Sequence, residues 1–320
     1  MTDTEPQTAA PVAAESFRRL TLPIKGGDIA GLAFGPEGSP DIVFIHATGF
    51  NARTYRTLLS PLGDRFRVWA IDARGHGLTT LPAGTFGYSS WQRHRDDLIA
   101  VLERHVTQPV TLAGHSMGAT VSLLAAARRP DLVAGLALID PVIMPASQYA
   151  VAELPLGTLI MRHTFPIARS AAKRRWQFPD KESAVRAFTG RGVFKSFPQE
   201  VIADYVGDGL VPDERGGFRL ACRPKYEAAT FSAQRHNPWS AMPRVSCPLV
   251  LLRADVGSTT PPAAMHRIAA LKPDARVATV EGASHMLPME RPDRVRAAIE
   301  AAALMAQGGR RFSDEPEIRR

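Results

Sequence analysis

The chain has 320 residues, 45% of them hydrophobic, and a formal net charge of +8. That apolar share is ample for a buried core, and the basic excess is spread along the chain with no zinc-finger spacing or RNA-binding signature, so nothing points to nucleic acid as a partner. Two cysteines, Cys222 and Cys247, exclude a disulfide framework and sit in no CxxC pair, which makes a reducing cytoplasm the simplest setting.

The first sixteen residues, MTDTEPQTAAPVAAES, lack the apolar core of a secretory signal. They and residues 308–320 read as disordered tails. Between them, short strand-like runs alternate with helical stretches. Phe17–Pro23 and Asp28–Phe34 are joined by Lys25-Gly26-Gly27 and predict a hairpin. Asp41–His46 predicts a strand buried on both faces, and a helix follows over Ala52–Leu62. Arg67–Ile71 is the next strand, Trp91–Val106 a helix, Pro109–Ala113 a strand, Met117–Arg129 a helix closed by Pro130, and Val133–Ile139 a strand.

The alternation stops over residues 145–240, where helical and irregular pieces carry many basic residues and prolines. It resumes with a strand over Pro248–Arg253, a helix over Pro262–Leu271, a strand over Arg276–Val280 and a helix over Pro292–Ala306. This pattern predicts an α/β fold: a mainly parallel sheet with helices on both faces, built from residues 17–144 and 241–307 and interrupted by a helical lid over 145–240. No apolar run approaches the ~20 residues that span a bilayer, so stable membrane insertion is not expected.

One stretch, Gly114-His115-Ser116-Met117-Gly118, has the form G-x-S-x-G between a predicted strand and a predicted helix. A strand-to-helix turn this sharp strains the serine backbone and needs small residues at Gly114 and Gly118 so that its two arms can approach. The Ser116 hydroxyl is then lifted to a helix N-terminus, where the Met117 N–H and the helix dipole favour a developing oxyanion. A serine hydroxyl is a poor nucleophile at neutral pH and needs an imidazole to take its proton and a carboxylate to orient that imidazole. His285, in a short loop between a strand and a helix, is the best-placed base.

Four segments together make the chain resemble the α/β-hydrolase family over about residues 17–306. FIHATGF (Phe44–Phe50) looks like the loop after the third strand, and AIDARGHGLT (Ala70–Thr79) like the D-x-R-G-H-G segment. GHSMG matches the nucleophile elbow, and EGASHMLPMERPDRV (Glu281–Val295) looks like the histidine loop and last helix. The resemblance implies the chain order Ser, acid, His. It also implies an oxyanion hole made by the Met117 N–H and by Thr48 or its neighbour Ala47, where alanine replaces the usual glycine. For the acid, Asp255 after PLVLLRA is expected. Asp140 after GLALI is the alternative, because some members carry the acid on that earlier strand. His46 and His76 are expected to brace loops, His115 to be the variable residue of the elbow, and Asp72, Asp96 and Asp97 to be structural.

In the lid, Arg162, His163, Arg169, Lys173, Arg174, Arg175 and Trp176 form a basic stretch whose simplest reading is a solvated helix face. Met144, Met161, Phe165, Trp239 and Met286 are candidates for an apolar acyl pocket. The expected activity is hydrolysis of a small-molecule carboxylic ester on a Ser116–His285–Asp255 triad, with no cofactor and no metal. The alternatives on the same residues are a C–C bond (meta-cleavage product) hydrolase, a lactonase, and an acyltransferase or perhydrolase. A ligand-binding relative without turnover is the alternative outside catalysis.

Overall fold

The computed structural model describes residues 17–313, so the expected tail over 1–16 and the last part, 314–320, of the expected tail over 308–320 lie outside the described residues. Eight strands form one sheet: β1 (Arg18–Ile24), β2 (Gly27–Phe34), β3 (Ile42–Ile45), β4 (Val68–Ile71), β5 (Val110–His115), β6 (Val133–Ile139), and, after the inserted segment, β10 (Leu249–Val256) and β11 (Arg276–Ser284). Their order across the sheet is β1-β2-β4-β3-β5-β6-β10-β11. The β1–β2 and β2–β4 pairs are antiparallel and all others parallel. The chain therefore has the α/β-hydrolase architecture expected.

Alternation along the central strands sends side chains into two cores. Val43, Ile45, Leu112, Leu136 and Leu138 point to one, closed by Leu98 and Leu102 of α2 (Gln92–His105), Val121 and Leu124 of α3 (Met117–Arg128), and Ile268 of α11 (Pro262–Leu271). Ile42, Phe44, Ala113, Ala137 and Ile139 point to the other, closed by Leu58 and Leu59 of α1 (Arg56–Leu59) and by Val295, Ile299 and Ala302 of α13 (Pro292–Ser313). Strand β5 is buried along its whole length, which makes its C-terminal end a rigid platform for the residue that follows.

Several boundaries differ from the sequence expectation. The helix expected over 52–62 breaks into 3₁₀ turns on either side of α1, and on the C-terminal side Pro61 has no N–H with which to continue the α-helix. Helix α13 runs on to Ser313, into the stretch read as tail. Strand β10 extends to Val256 and β11 to Ser284, so Asp255 lies inside a strand and not after one.

The insertion is not wholly helical. Besides helices α4 (Ala146–Glu153), α5 (Gly157–Thr164), α6 (Pro166–Lys173), α7 (Lys181–Phe188), α8 (Gln199–Gly209), α9 (Pro224–Ser232) and α10 (Pro238–Ala241), it holds a small antiparallel sheet of β7 (Gln177–Phe178), β8 (Leu210–Pro212) and β9 (Phe218–Leu220). These strands are only two or three residues long, too short for alternation to show in sequence. Among the described residues, no helix is long and apolar enough to cross a membrane.

Candidate active site

Ser116 sits between β5 and α3 with φ 55° and ψ −114°, a conformation that a non-glycine residue holds only when its surroundings enforce it. The enforcement is visible. The Ser116 N–H donates to the Ile139 carbonyl of the neighbouring strand at 2.9 Å. A Cβ on Gly114 would come within 2.5 Å of the Gly118 carbonyl carbon, and one on Gly118 would overlap the Ile45 carbonyl oxygen. Both glycines are therefore required for the arms to close. Met117 opens α3, so its N–H has no acceptor within the helix.

His285 stands between β11 and the short helix α12 (Leu287–Glu290). Glu290 holds that loop: its carboxylate accepts from the Ser284 N–H and hydroxyl, each at 2.7 Å, and from the Ser196 hydroxyl of the inserted segment at 2.8 Å. Burial would raise this carboxyl, but the Ser284 and Ser196 donors outweigh it and hold the group below its ordinary range. The His285 ring then spans two partners. Nε2 lies 3.1 Å from the Ser116 Oγ, and Nδ1 lies 2.6 Å from the Asp140 Oδ2.

Asp140, not Asp255, is thus the carboxylate on His285. Asp140 follows β6, is fully buried, and is held at φ 43°. Its Oδ1 accepts from the Ala254 N–H at 2.8 Å and the Ser258 hydroxyl at 2.5 Å, and its Oδ2 also accepts from the Thr259 N–H at 3.1 Å. Burial pushes the carboxyl up, yet His285, Ser258 and Ala254 together hold it below the usual carboxylate range. Asp255 is exposed near the edge of the sheet, where it accepts from the Gly282 N–H at 3.3 Å. The correction has a physical cause. The loop that would present an acid after β10 carries Gly257 there, and its next residues, Ser258 and Thr259, donate to Asp140 instead.

The two backbone donors expected on the loop after β3 differ in their surroundings. The Ala47 N–H is occupied, donating to the Tyr55 hydroxyl at 3.2 Å. Thr48 remains beside Ser116 in the cavity wall. His46 and His76 brace the neighbouring loops, as the sequence suggested. His46 Nε2 accepts from the Ala73 N–H at 2.9 Å, and His76 Nε2 accepts from the Gly49 N–H at 3.0 Å. Burial keeps both rings neutral, with His76 pushed down to about 4. The Asp72 carboxylate caps the Ala52 and Leu78 N–H groups, and Asp97 pairs with Arg74.

Two compartments meet at Ser116, Thr48 and His285. The smaller, about 360 Å³, is walled by Phe50, Arg174, Phe188, Phe194, Tyr205 and Glu227. The larger, about 900 Å³, is walled by Trp91, Met144, Gln148, Phe165 and Met286 among others. Of the suggested acyl-pocket residues, Met144, Phe165 and Met286 line this space, whereas Met161 is buried core and Trp239 spends its indole N–H on the Met144 carbonyl. Of the basic lid stretch, Arg174 turns inward. Its guanidinium contacts both Glu227 oxygens at 2.9 Å and the Tyr205 hydroxyl at 3.0 Å, so its charge is compensated. Burial still raises the Glu227 carboxyl despite Arg174. Among the described residues, no group of histidine, cysteine or acidic side chains is arranged to hold a metal ion.

A sequence profile described as the alpha/beta hydrolase family matches residues 42–298. The chain belongs to the alpha/beta hydrolase family. It is 28% identical over 275 residues to a 2-(acetamidomethylene)succinate hydrolase of Mesorhizobium japonicum, covering 84% of this chain and 89% of that one. An E-2-(acetamidomethylene)succinate hydrolase crystal structure superposes with a TM-score of 0.74 at 26% identity, covering 89% of this chain and 98% of that one. An esterase of Mycobacterium tuberculosis is 31% identical over 143 residues, 44% of this chain and 46% of its own. These relatives are hydrolases in name, and this alpha/beta hydrolase shares their fold.

Proposed function

We propose that this alpha/beta hydrolase cleaves a small, partly apolar carboxylic ester through an acyl-enzyme on Ser116. The observation that carries the reading is the position of His285, between the Ser116 hydroxyl at 3.1 Å and the Asp140 carboxylate at 2.6 Å. Asp140 fixes the Nδ1–H tautomer, which leaves Nε2 free to accept the Ser116 proton. As Oγ bonds to the ester carbonyl carbon, the carbonyl π electrons move to oxygen and the Met117 and Thr48 N–H groups receive the oxyanion. The imidazolium returns its proton to the departing alcohol as the C–O bond breaks. Water then repeats the sequence on the acyl-enzyme, releasing the carboxylic acid and regenerating Ser116.

The two compartments give the acyl and alcohol halves separate space on either side of the reacting carbonyl. The smaller one offers polar atoms without net charge at the Arg174–Glu227 pair, which suits a neutral acyl group better than a second carboxylate.

The test is covalent labelling with a fluorophosphonate, together with turnover of p-nitrophenyl esters of several chain lengths. Labelling and turnover that both vanish in Ser116→Ala support the proposal. Absence of both in the wild type refutes it and favours the ligand-binding alternative. A second reading, hydrolysis of a small dicarboxylate carrying an acetamido group, is favoured by the likeness to the succinate hydrolase over most of the chain. Including 2-(acetamidomethylene)succinate in the panel separates the two by which substrate has the higher kcat/KM.

A further inference from the structure

His115 fills the variable position of the elbow, yet it is fully buried and both of its ring nitrogens are engaged. Nε2 lies 2.8 Å from the carbonyl oxygen of His285, and Nδ1 lies 2.7 Å from the Tyr55 hydroxyl. A carbonyl only accepts, so Nε2 carries the hydrogen. Burial, reinforced by the nearby His285, pushes this imidazole down to about 3, so the ring is neutral and Nδ1 accepts. The Tyr55 hydroxyl therefore donates to His115 and has a lone pair left, on which it receives the Ala47 N–H at 3.2 Å. Tyr55 is also fully buried.

The result is a chain of three hydrogen bonds with one allowed direction: Ala47 N–H to Tyr55, Tyr55 to His115, His115 to the His285 carbonyl. It begins on the residue before Thr48, passes through the residue before Ser116, and ends on the backbone of His285 itself. A second chain adds to it on the oxyanion-loop side. The Ala73 N–H donates to His46 Nε2, and His46 Nδ1–H donates to the Ala47 carbonyl at 2.7 Å. Each end is an obligate donor or acceptor, so no proton rearrangement can satisfy the groups in another way. Neither Tyr55 nor His115 lines either compartment beside Ser116.

We propose that Tyr55 and His115 are positioning residues, a buried strut that sets the distance between the oxyanion loop and the base while the elbow holds the nucleophile between them. This rests on the reading of Ser116, His285 and Asp140 as the reacting groups. The strut matters most when charge develops, because the oxyanion at Thr48 and the imidazolium at His285 must be met simultaneously by groups already in place. Ground-state binding in the compartments does not depend on it.

The experiment measures p-nitrophenyl acetate hydrolysis, affinity for a phenylboronic acid as a tetrahedral mimic, and the thermal midpoint. Tyr55→Phe removes one oxygen and keeps the ring. It is expected to lower kcat roughly 10- to 100-fold with KM within about threefold, and to weaken boronate affinity in step with kcat. His115→Leu is expected to behave alike. His115→Gln, whose amide can donate to the His285 carbonyl and accept from Tyr55, is expected to recover most of the lost kcat. If kcat and boronate affinity stay within about twofold of wild type in Tyr55→Phe while only the thermal midpoint falls, the strut is merely structural and the proposal is overturned. Should His115→Leu fail to fold, Tyr55→Phe decides alone. A wild-type protein that neither hydrolyses the ester nor takes a fluorophosphonate on Ser116 overturns the hydrolase reading, and the strut's role with it.

Discussion

Gly118 lies so close to Ile45 that a methyl group on it would overlap the Ile45 carbonyl oxygen. The elbow and the end of β3 are thus in backbone contact, which aligns the loop after β3 with the helix after β5. Gly118→Ala must push the two apart or open the turn at Ser116. The expected outcome is a loss of roughly 3 kcal/mol or more in urea denaturation, with labelling of Ser116 reduced in any folded fraction. A loss under about 1 kcal/mol would show that the contact is slack.

His115 gives a pH dependence with a definite sign. In the folded chain burial keeps it neutral to about 3, whereas in the unfolded chain it protonates near 6.5. Below 6.5 the unfolded state takes up a proton that the folded state refuses. The stability from this site is therefore complete above 6.5 and is lost as pH falls through the window toward 3. Glutamine does not titrate, so the stability difference between wild type and His115→Gln is expected to shift against wild type by up to about 2 kcal/mol from pH 7 to pH 5. Urea denaturation at both pH values checks this, and a difference that stays constant contradicts it.

The Arg174–Glu227 pair controls the charge of the smaller compartment. Glu227→Gln keeps an acceptor for Arg174 and removes the counter-charge. The ratio of kcat/KM for a p-nitrophenyl hemisuccinate to that for p-nitrophenyl butyrate is expected to rise roughly tenfold. An unchanged ratio would mean that neither half of the ester approaches Arg174.

Much of this arrangement is legible in local sequence. The strands of the parallel sheet are short apolar runs between turn residues, and Ser116 and His285 sit in motifs whose flanks define their context. The acid is different. Asp140 and Asp255 both come near the ends of adjacent parallel strands, and the choice between them depends on where β10 stops and how residues 257–259 wrap. Both are tertiary facts, set by Ser258 and Thr259 reaching back to a residue 118 or 119 positions earlier. The same holds for Tyr55 and His115, 60 residues apart, whose meeting no local pattern announces. Arg174 illustrates the converse: within a basic run it reads as solvated, and its partners Glu227 on α9 and Tyr205 on α8 draw it inward.

The proposed hydrolysis requires Asp140 to orient His285 toward Ser116, and the comparison of Asp140→Asn with Asp255→Asn tests this most directly. Steady-state hydrolysis of a p-nitrophenyl ester is expected to show kcat lowered roughly 10³- to 10⁴-fold in Asp140→Asn, because an amide there no longer holds the Nδ1–H tautomer. Asp255→Asn, changing an exposed side chain that accepts a 3.3 Å hydrogen bond from the Gly282 N–H and does not reach His285, is expected to stay within about twofold of wild type. The reverse ranking, or a fully active Asp140→Asn, would contradict the account.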